Sequence, residues 1–175
     1  MTQRFDRTRI TELLAKAARE LSGSWLLVGG GAAAIWFASD RTTEDLDLVG
    51  LAGTQDERLA LMQFAANASL PIEAVNSAAD FFVRKVADWR EQLVEVARGP
   101  SATIFRPTAT LFLLLKLGRL SEVDLGDCLG LLAFAATNGE TIDRERVRAR
   151  LNALLETDDA ALRDRRSALL AALAD

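Results

Sequence analysis

Val28-Gly29-Gly30-Gly31, followed by Arg41-Thr42-Thr43-Glu44-Asp45-Leu46-Asp47-Leu48, is the stretch that decides the fold of this chain. An apolar run ends in a glycine turn. Asp45 comes fourteen residues after Gly31, and from there two aspartates alternate with two leucines. On a strand, successive side chains point to opposite faces, so Asp45 and Asp47 are expected on one face and Leu46 and Leu48 on the other. Two carboxylates that close repel each other. A fold keeps such a pair most readily when a cation lies between them.

Working outward, residues 8–22 place Ile10, Leu13, Leu14, Ala17, Ala18 and Leu21 at helical spacing, with Gly23 as a stop. Trp25–Val28 reads as a strand, Gly29–Gly31 as a turn and Ala32–Ala38 as the next helix. Asp45–Val49 reads as a strand. Gln55–Ala68 reads as a helix with Leu59, Met62, Phe64 and Ala65 inward, and Pro71–Val75 as a third strand. Gln92–Ala97 and Ala102–Phe105 flank the turn Arg98-Gly99-Pro100-Ser101 as a hairpin. From Pro107 the pattern is helical: Thr108–Leu120, Glu122–Ala136 capped by Ser121, Asp143–Leu155 and Asp158–Leu173. This predicts an α/β (α+β) half at 1–106, a small mixed sheet with flanking helices. A C-terminal helical bundle at 107–175 would pack on it.

Composition narrows the chemistry. Of 175 residues, 50% are hydrophobic and 26% charged, enough for a soluble protein with a core. A net charge of −4 argues against broad nucleic-acid binding. The chain has no histidine and one cysteine, Cys128. That excludes Ser-His-Asp and Cys-His catalysis, His-ligated zinc and an internal disulfide. Carboxylates remain as metal ligands, and these suit Mg²⁺ or Mn²⁺. The start, Met1–Arg9, has no apolar signal core, and no apolar run is long enough to span a membrane. A cytoplasmic protein with no membrane partner is expected.

The order helix, strand, Gly-Gly turn, helix, strand with Asp-x-Asp, then another strand with a carboxylate resembles the nucleotidyltransferase superfamily, the DNA polymerase β-like fold. Arg41-x-Thr43-x-Asp45-Leu46-Asp47 is similar to the prokaryotic branch of minimal nucleotidyltransferases and the nucleotidyltransferase components of type IV toxin–antitoxin systems. Leu114-Leu115-Lys116-Leu117-Gly118-Arg119 followed by Asp124-Leu125-Gly126-Asp127 resembles the Lys helix and Asp-x-x-Asp helix that follow the core in that branch. The resemblance spans about residues 24–135 and leaves 140–175 unmatched.

The resemblance implies transfer of a nucleoside monophosphate from an NTP to a hydroxyl or phosphate acceptor, with release of pyrophosphate. Two Mg²⁺ ions about 3.5–4 Å apart would stabilise the attacking and leaving oxygens. Asp45 and Asp47 would hold the metal. The triphosphate would lie over Gly29, Gly30 and Gly31, where backbone N–H groups and the start of the following helix favour anions. The third carboxylate of the superfamily is assigned to Glu73, as metal ligand and general base, with Asp80 or Glu95 as substitutes. Relatives more often carry Asp there, and many carry Ser or Thr where Ala32–Ala34 stand.

Arg41 is expected on a phosphate or a neighbouring acid, and Thr43 on the Asp45 carboxylate. Lys116 sits among leucines, so a solvated face is hard to find for it. It is expected in an ion pair with Asp124 or Asp127, on the triphosphate, or in both roles at once, with Arg119 as a phosphate contact or a helix-end charge. Trp25, Trp36 and Trp89 are expected as core or interface anchors. Arg144, Arg146, Arg148 and Arg150 wrap around their helix as solvated surface.

The acceptor (tRNA, protein or small molecule) is left open. The rival expectation is a catalytically degenerate binding module, such as a toxin–antitoxin component acting through a protein partner. The Ala/Leu-rich face of 158–174 would then serve pairing or a homodimer. An Asp-based phosphatase or nuclease fits the glycine turn less well.

Overall fold

The computed structural model describes residues 4–174. It divides into two compact units, Met1–Pro107 and Thr108–Asp175. The first is a mixed α/β unit and the second is helical.

In the first unit, α1 (Arg7–Glu20) starts at Asp6, whose carboxylate accepts from the Arg9 N–H at 2.8 Å. Ile10, Leu13, Leu14, Ala17 and Ala18 form its buried stripe. The five strands are β1 (Gly23–Val28), β2 (Leu46–Gly50), β3 (Val75–Asn76), β4 (Leu93–Arg98) and β5 (Ala102–Pro107). They form one sheet in the order β3-β2-β1-β5-β4. The central β1 pairs antiparallel with β2 and parallel with β5. Leu26, Leu27, Leu46, Leu48, Val49 and Ile104 are fully buried, so sequence neighbours such as Leu26 and Leu27 bury both sheet faces.

Three expectations need correction here. Gly29–Gly31 is no free-standing turn: it is the first turn of α2 (Gly29–Trp36). In α3 (Gln55–Asn67) the buried residues are Leu61, Phe64 and Ala65, while Leu59 and Met62 are exposed. Both sets have helical spacing, and the burial of Phe64 sets the helix phase. The third strand does not run from Pro71. Residues Ile72–Ala74 form a 3₁₀ turn, and only Val75 and Asn76 join the sheet. Proline lacks the N–H that a ladder needs, so Pro71 starts the turn instead.

The loop after β2 is held tightly. Glu57 accepts from the N–H groups of Ala52, Gly53 and Thr54 and closes a capping box with Thr54. Arg84, on α4 (Asp80–Arg84), donates to the Gly50 carbonyl at 2.8 Å, and Arg90 to that of Leu51 at 2.9 Å. Both guanidiniums lie over the buried Trp89 ring. Trp25 is buried and donates to the Ser22 carbonyl. Trp36 is half-buried under Arg106.

The second unit holds α5 (Ala109–Lys116), α6 (Glu122–Asn138), α7 (Arg144–Ala153) and α8 (Ala160–Ala172). The first of these stops four residues short of the expected Leu120. Beyond it, the carbonyls of Leu117 and Gly118 accept from Arg166, and that of Leu120 from Arg165. Arg166 also caps Leu154 at the end of α7. One buried guanidinium of α8 thus satisfies the carbonyl ends of two other helices. Leu169 and Leu173 are buried as well, so the Ala/Leu-rich face expected to be a pairing surface lies partly in the unit's own core. Among the described residues no helix is long and apolar enough to cross a membrane.

Candidate functional site

The sheet register brings the sequence-predicted acids to the glycine segment. Val28, the last residue of β1, pairs with Asp47 of β2, so Asp47 reaches the point where β1 turns into α2. Gly29 has φ +66°, a conformation that L side chains rarely adopt. A Cβ there would also stand 2.8 Å from Asp47 Oδ2. At Gly30 a Cβ would stand 2.9 Å from Thr43 Oγ1 and 3.2 Å from an Arg41 guanidinium nitrogen. The Thr43 hydroxyl donates to Asp45 Oδ1 at 3.1 Å. Both carboxylates therefore connect to the glycine segment, Asp47 directly and Asp45 through Thr43. The missing glycine side chains make room for Asp47, Thr43 and Arg41 of the chain itself. Gly31 is buried against Leu27 and Leu46.

Asp45 is exposed and lies one residue before β2, while Asp47 is half-buried within it. α2 begins at Gly29 with Val28 at its cap and no capping side chain. The positive end of its dipole favours the Asp47 carboxylate and any anion placed there.

Sequence reasoning missed two residues of this site. Phe5 is fully buried and forms an isolated bridge with Thr43: its N–H donates to the Thr43 carbonyl at 2.7 Å, and its carbonyl accepts from the Thr43 N–H at 3.0 Å. That bridge holds the Arg41–Thr43 segment. The one signal for it was a lone aromatic in the polar start. The second is Asn76, which pairs with Asp47 across the parallel β2–β3 ladder.

The expected third carboxylate is not beside these two. Glu73 is exposed on the 3₁₀ turn. Asp80 pairs with Arg84 at 2.8 Å. Glu95 lies on β4, at the sheet edge opposite β3, where the Arg98 guanidinium holds its carboxyl below the usual range. Among the described residues no group of three or more His, Cys, Asp or Glu comes together as a metal site. The donors present suit one hard cation. Mg²⁺ binds through one or two carboxylates and completes its shell with water and phosphate oxygens. Asp45 and Asp47 would hold it.

Lys116, Arg119, Asp124 and Asp127 form a network within the helical unit. The Lys116 ammonium is buried and donates to Asp124 Oδ1 at 2.7 Å and Asp127 Oδ2 at 3.1 Å. Arg119 grips Asp124 with two bonds, at 2.8 and 3.0 Å, while its own side chain stays 79% exposed. The Ser121 hydroxyl and N–H also donate to Asp124. Burial alone would raise the Asp124 carboxyl. The bonds from Arg119 and Lys116 outweigh it and hold the group well below the usual carboxylate range. Lys116 thus has the ion-pair role, with both aspartates as partners. Beside it, burial pushes the Cys128 thiol up to about 12, which leaves it a packing residue.

Arg144 donates to the Leu173 carbonyl, Arg146 is half-buried, and Arg148 and Arg150 are exposed. Comparisons with protein-family models, with curated proteins and with solved structures give no match.

Proposed function

We propose that this chain is a metal-dependent nucleotidyltransferase of the minimal kind. It would move a nucleoside monophosphate from an NTP to an acceptor that bears a hydroxyl or phosphate. The observation that carries this reading is the contact of Asp47, and of Asp45 through Thr43, with the Gly29–Gly30 start of α2. Carboxylates at a glycine-initiated helix N-terminus are an arrangement in which a metal-bound phosphate chain meets backbone donors.

In this reading Asp45 and Asp47 hold Mg²⁺ or Mn²⁺. Bound metal supplies charge neutralisation on the triphosphate and on the leaving pyrophosphate. The chain's own part is positioning. Thr43 orients Asp45, the Phe5 bridge holds Thr43, and Arg41 adds a positive charge beside Gly30. The acceptor oxygen bonds to the α-phosphorus as the bond to pyrophosphate breaks, and a hydroxyl acceptor gives its proton to solvent water. Lys116 supports the helical unit through its two aspartates.

A second reading, a module that binds nucleotide without transferring it, is favoured by one specific observation: the neighbour of Asp47 on β3 is Asn76 and not an acid. The test is pyrophosphate release from each NTP with Mg²⁺, with bulk tRNA and with a cell extract as acceptor source. Release by the wild type that falls at least a hundredfold in Asp47→Asn supports transfer. Release that persists unchanged in Asp47→Asn contradicts it. Nucleotide binding without any release selects the second reading.

A further inference from the structure

The parallel register of β2 and β3 sets Leu46 beside Val75 and Asp47 beside Asn76. Residues paired in this way point to the same sheet face, one strand spacing apart, about 4.8 Å. The half-buried Asn76 side chain therefore shares the face of the Asp47 carboxylate. Its Oδ1 accepts from the Ala78 N–H at 2.9 Å, which leaves its NH₂ group with no protein partner among the described residues. Glu73 lies outside the ladder on an exposed turn.

We propose that Asn76, and not Glu73, completes the Asp45–Asp47 site. As a neutral amide it limits the site to one divalent cation and donates its NH₂ to a phosphate oxygen of the nucleotide. This rests on the metal and nucleotide reading given above. The charge balance follows from the side chains. Asp45 and Asp47 bring two negative charges and Arg41 one positive charge beside Gly30, so the protein can hold one divalent cation shared with the nucleotide phosphates and has no charge left for a second. An amide NH₂ beside Asp47 is a donor, suited to a phosphate oxygen and not to a metal. Replacing the amide by a carboxylate keeps the size and the acceptor for Ala78, and adds a third negative charge on the metal face.

The test is Mn²⁺ binding followed by electron paramagnetic resonance, without nucleotide, on the wild type and on Asn76→Asp, Glu73→Gln and Asp47→Asn. The expected result is one Mn²⁺ per wild-type chain, binding at least tenfold tighter in Asn76→Asp and within twofold of wild type in Glu73→Gln. In a parallel thermal-shift titration, Asn76→Ala is expected to weaken Mn²⁺–NTP binding while leaving binding of Mn²⁺ alone unchanged. Unchanged Mn²⁺ affinity in Asn76→Asp, or a tenfold loss in Glu73→Gln, overturns the proposal and leaves the metal reading standing. Undiminished Mn²⁺ binding in Asp47→Asn, or none in the wild type, overturns the metal reading itself.

Discussion

The carboxylate of Asp47 occupies the space that a side chain at Gly29 would need: a Cβ there would stand 2.8 Å from Asp47 Oδ2, on a backbone at φ +66°. Strain and clash coincide at this position. Asp47 also pairs with Val28, so it cannot retreat along the sheet without breaking the β1–β2 register. Gly29→Ala is expected to destabilise the fold by about 1–3 kcal/mol, the usual range for a residue forced into a sparsely populated backbone region. Urea unfolding measures it. Gly118→Ala is the control, because a Cβ there meets nothing within 4 Å and φ is not positive.

The Asp124 network predicts a pH dependence. Its carboxyl lies below the ordinary value of 3.8 in the folded state. The unfolded chain therefore binds the proton first as pH falls. The Asp124 contribution is complete above pH 3.8 and is lost as pH drops below it toward the folded-state value. Above that range, Lys116→Met is expected to cost about 3–5 kcal/mol, the usual result of removing one partner of a buried ion pair. Urea midpoints at pH 6 and pH 3 check both statements. The gap between wild type and Asp124→Asn is expected to narrow at the lower pH.

Much of this was legible in the sequence, for identifiable reasons. Lys116 among Leu113, Leu114, Leu115 and Leu117 left no solvated face, so a buried cation needing a partner followed from desolvation, while the choice between acids of the next helix and a triphosphate stayed open. Thr43 two residues before Asp45 was legible because the pair is local. Non-local pairing was harder. Pro71 argued locally against a strand starting there, but nothing in Leu70–Asn76 shows that sheet pairing begins only at Val75, which puts Asn76 and not Glu73 beside Asp47. The contact of Phe5 with Thr43 crosses 38 residues and has no periodic signature.

Arg166 yields a prediction for the helical unit. Its guanidinium donates to carbonyls of Leu117, Gly118 and Leu154 at the ends of α5 and α7. Arg166→Ala removes the donor from all three carbonyls; Leu117 is buried, Leu154 half-buried and Gly118 exposed, so the expected cost is about 1–3 kcal/mol, most of it from the Leu117 acceptor. Arg166→Lys is not expected to restore stability, because a point-charge ammonium cannot span three carbonyls in a planar fork. Thermal unfolding of the three proteins decides this.

The central claim is that Asp47 and the glycine start of α2 form a metal-dependent nucleotide site. A thermal-shift titration with each NTP, with and without Mg²⁺, on the wild type and Asp47→Asn tests it most directly. A ligand that binds only the folded state stabilises it by about 2.7 kcal/mol at a hundredfold excess over its dissociation constant. The account predicts a Mg²⁺-dependent rise in melting temperature with at least one NTP, absent in Asp47→Asn. No rise with any NTP, or an equal rise in Asp47→Asn, would contradict it.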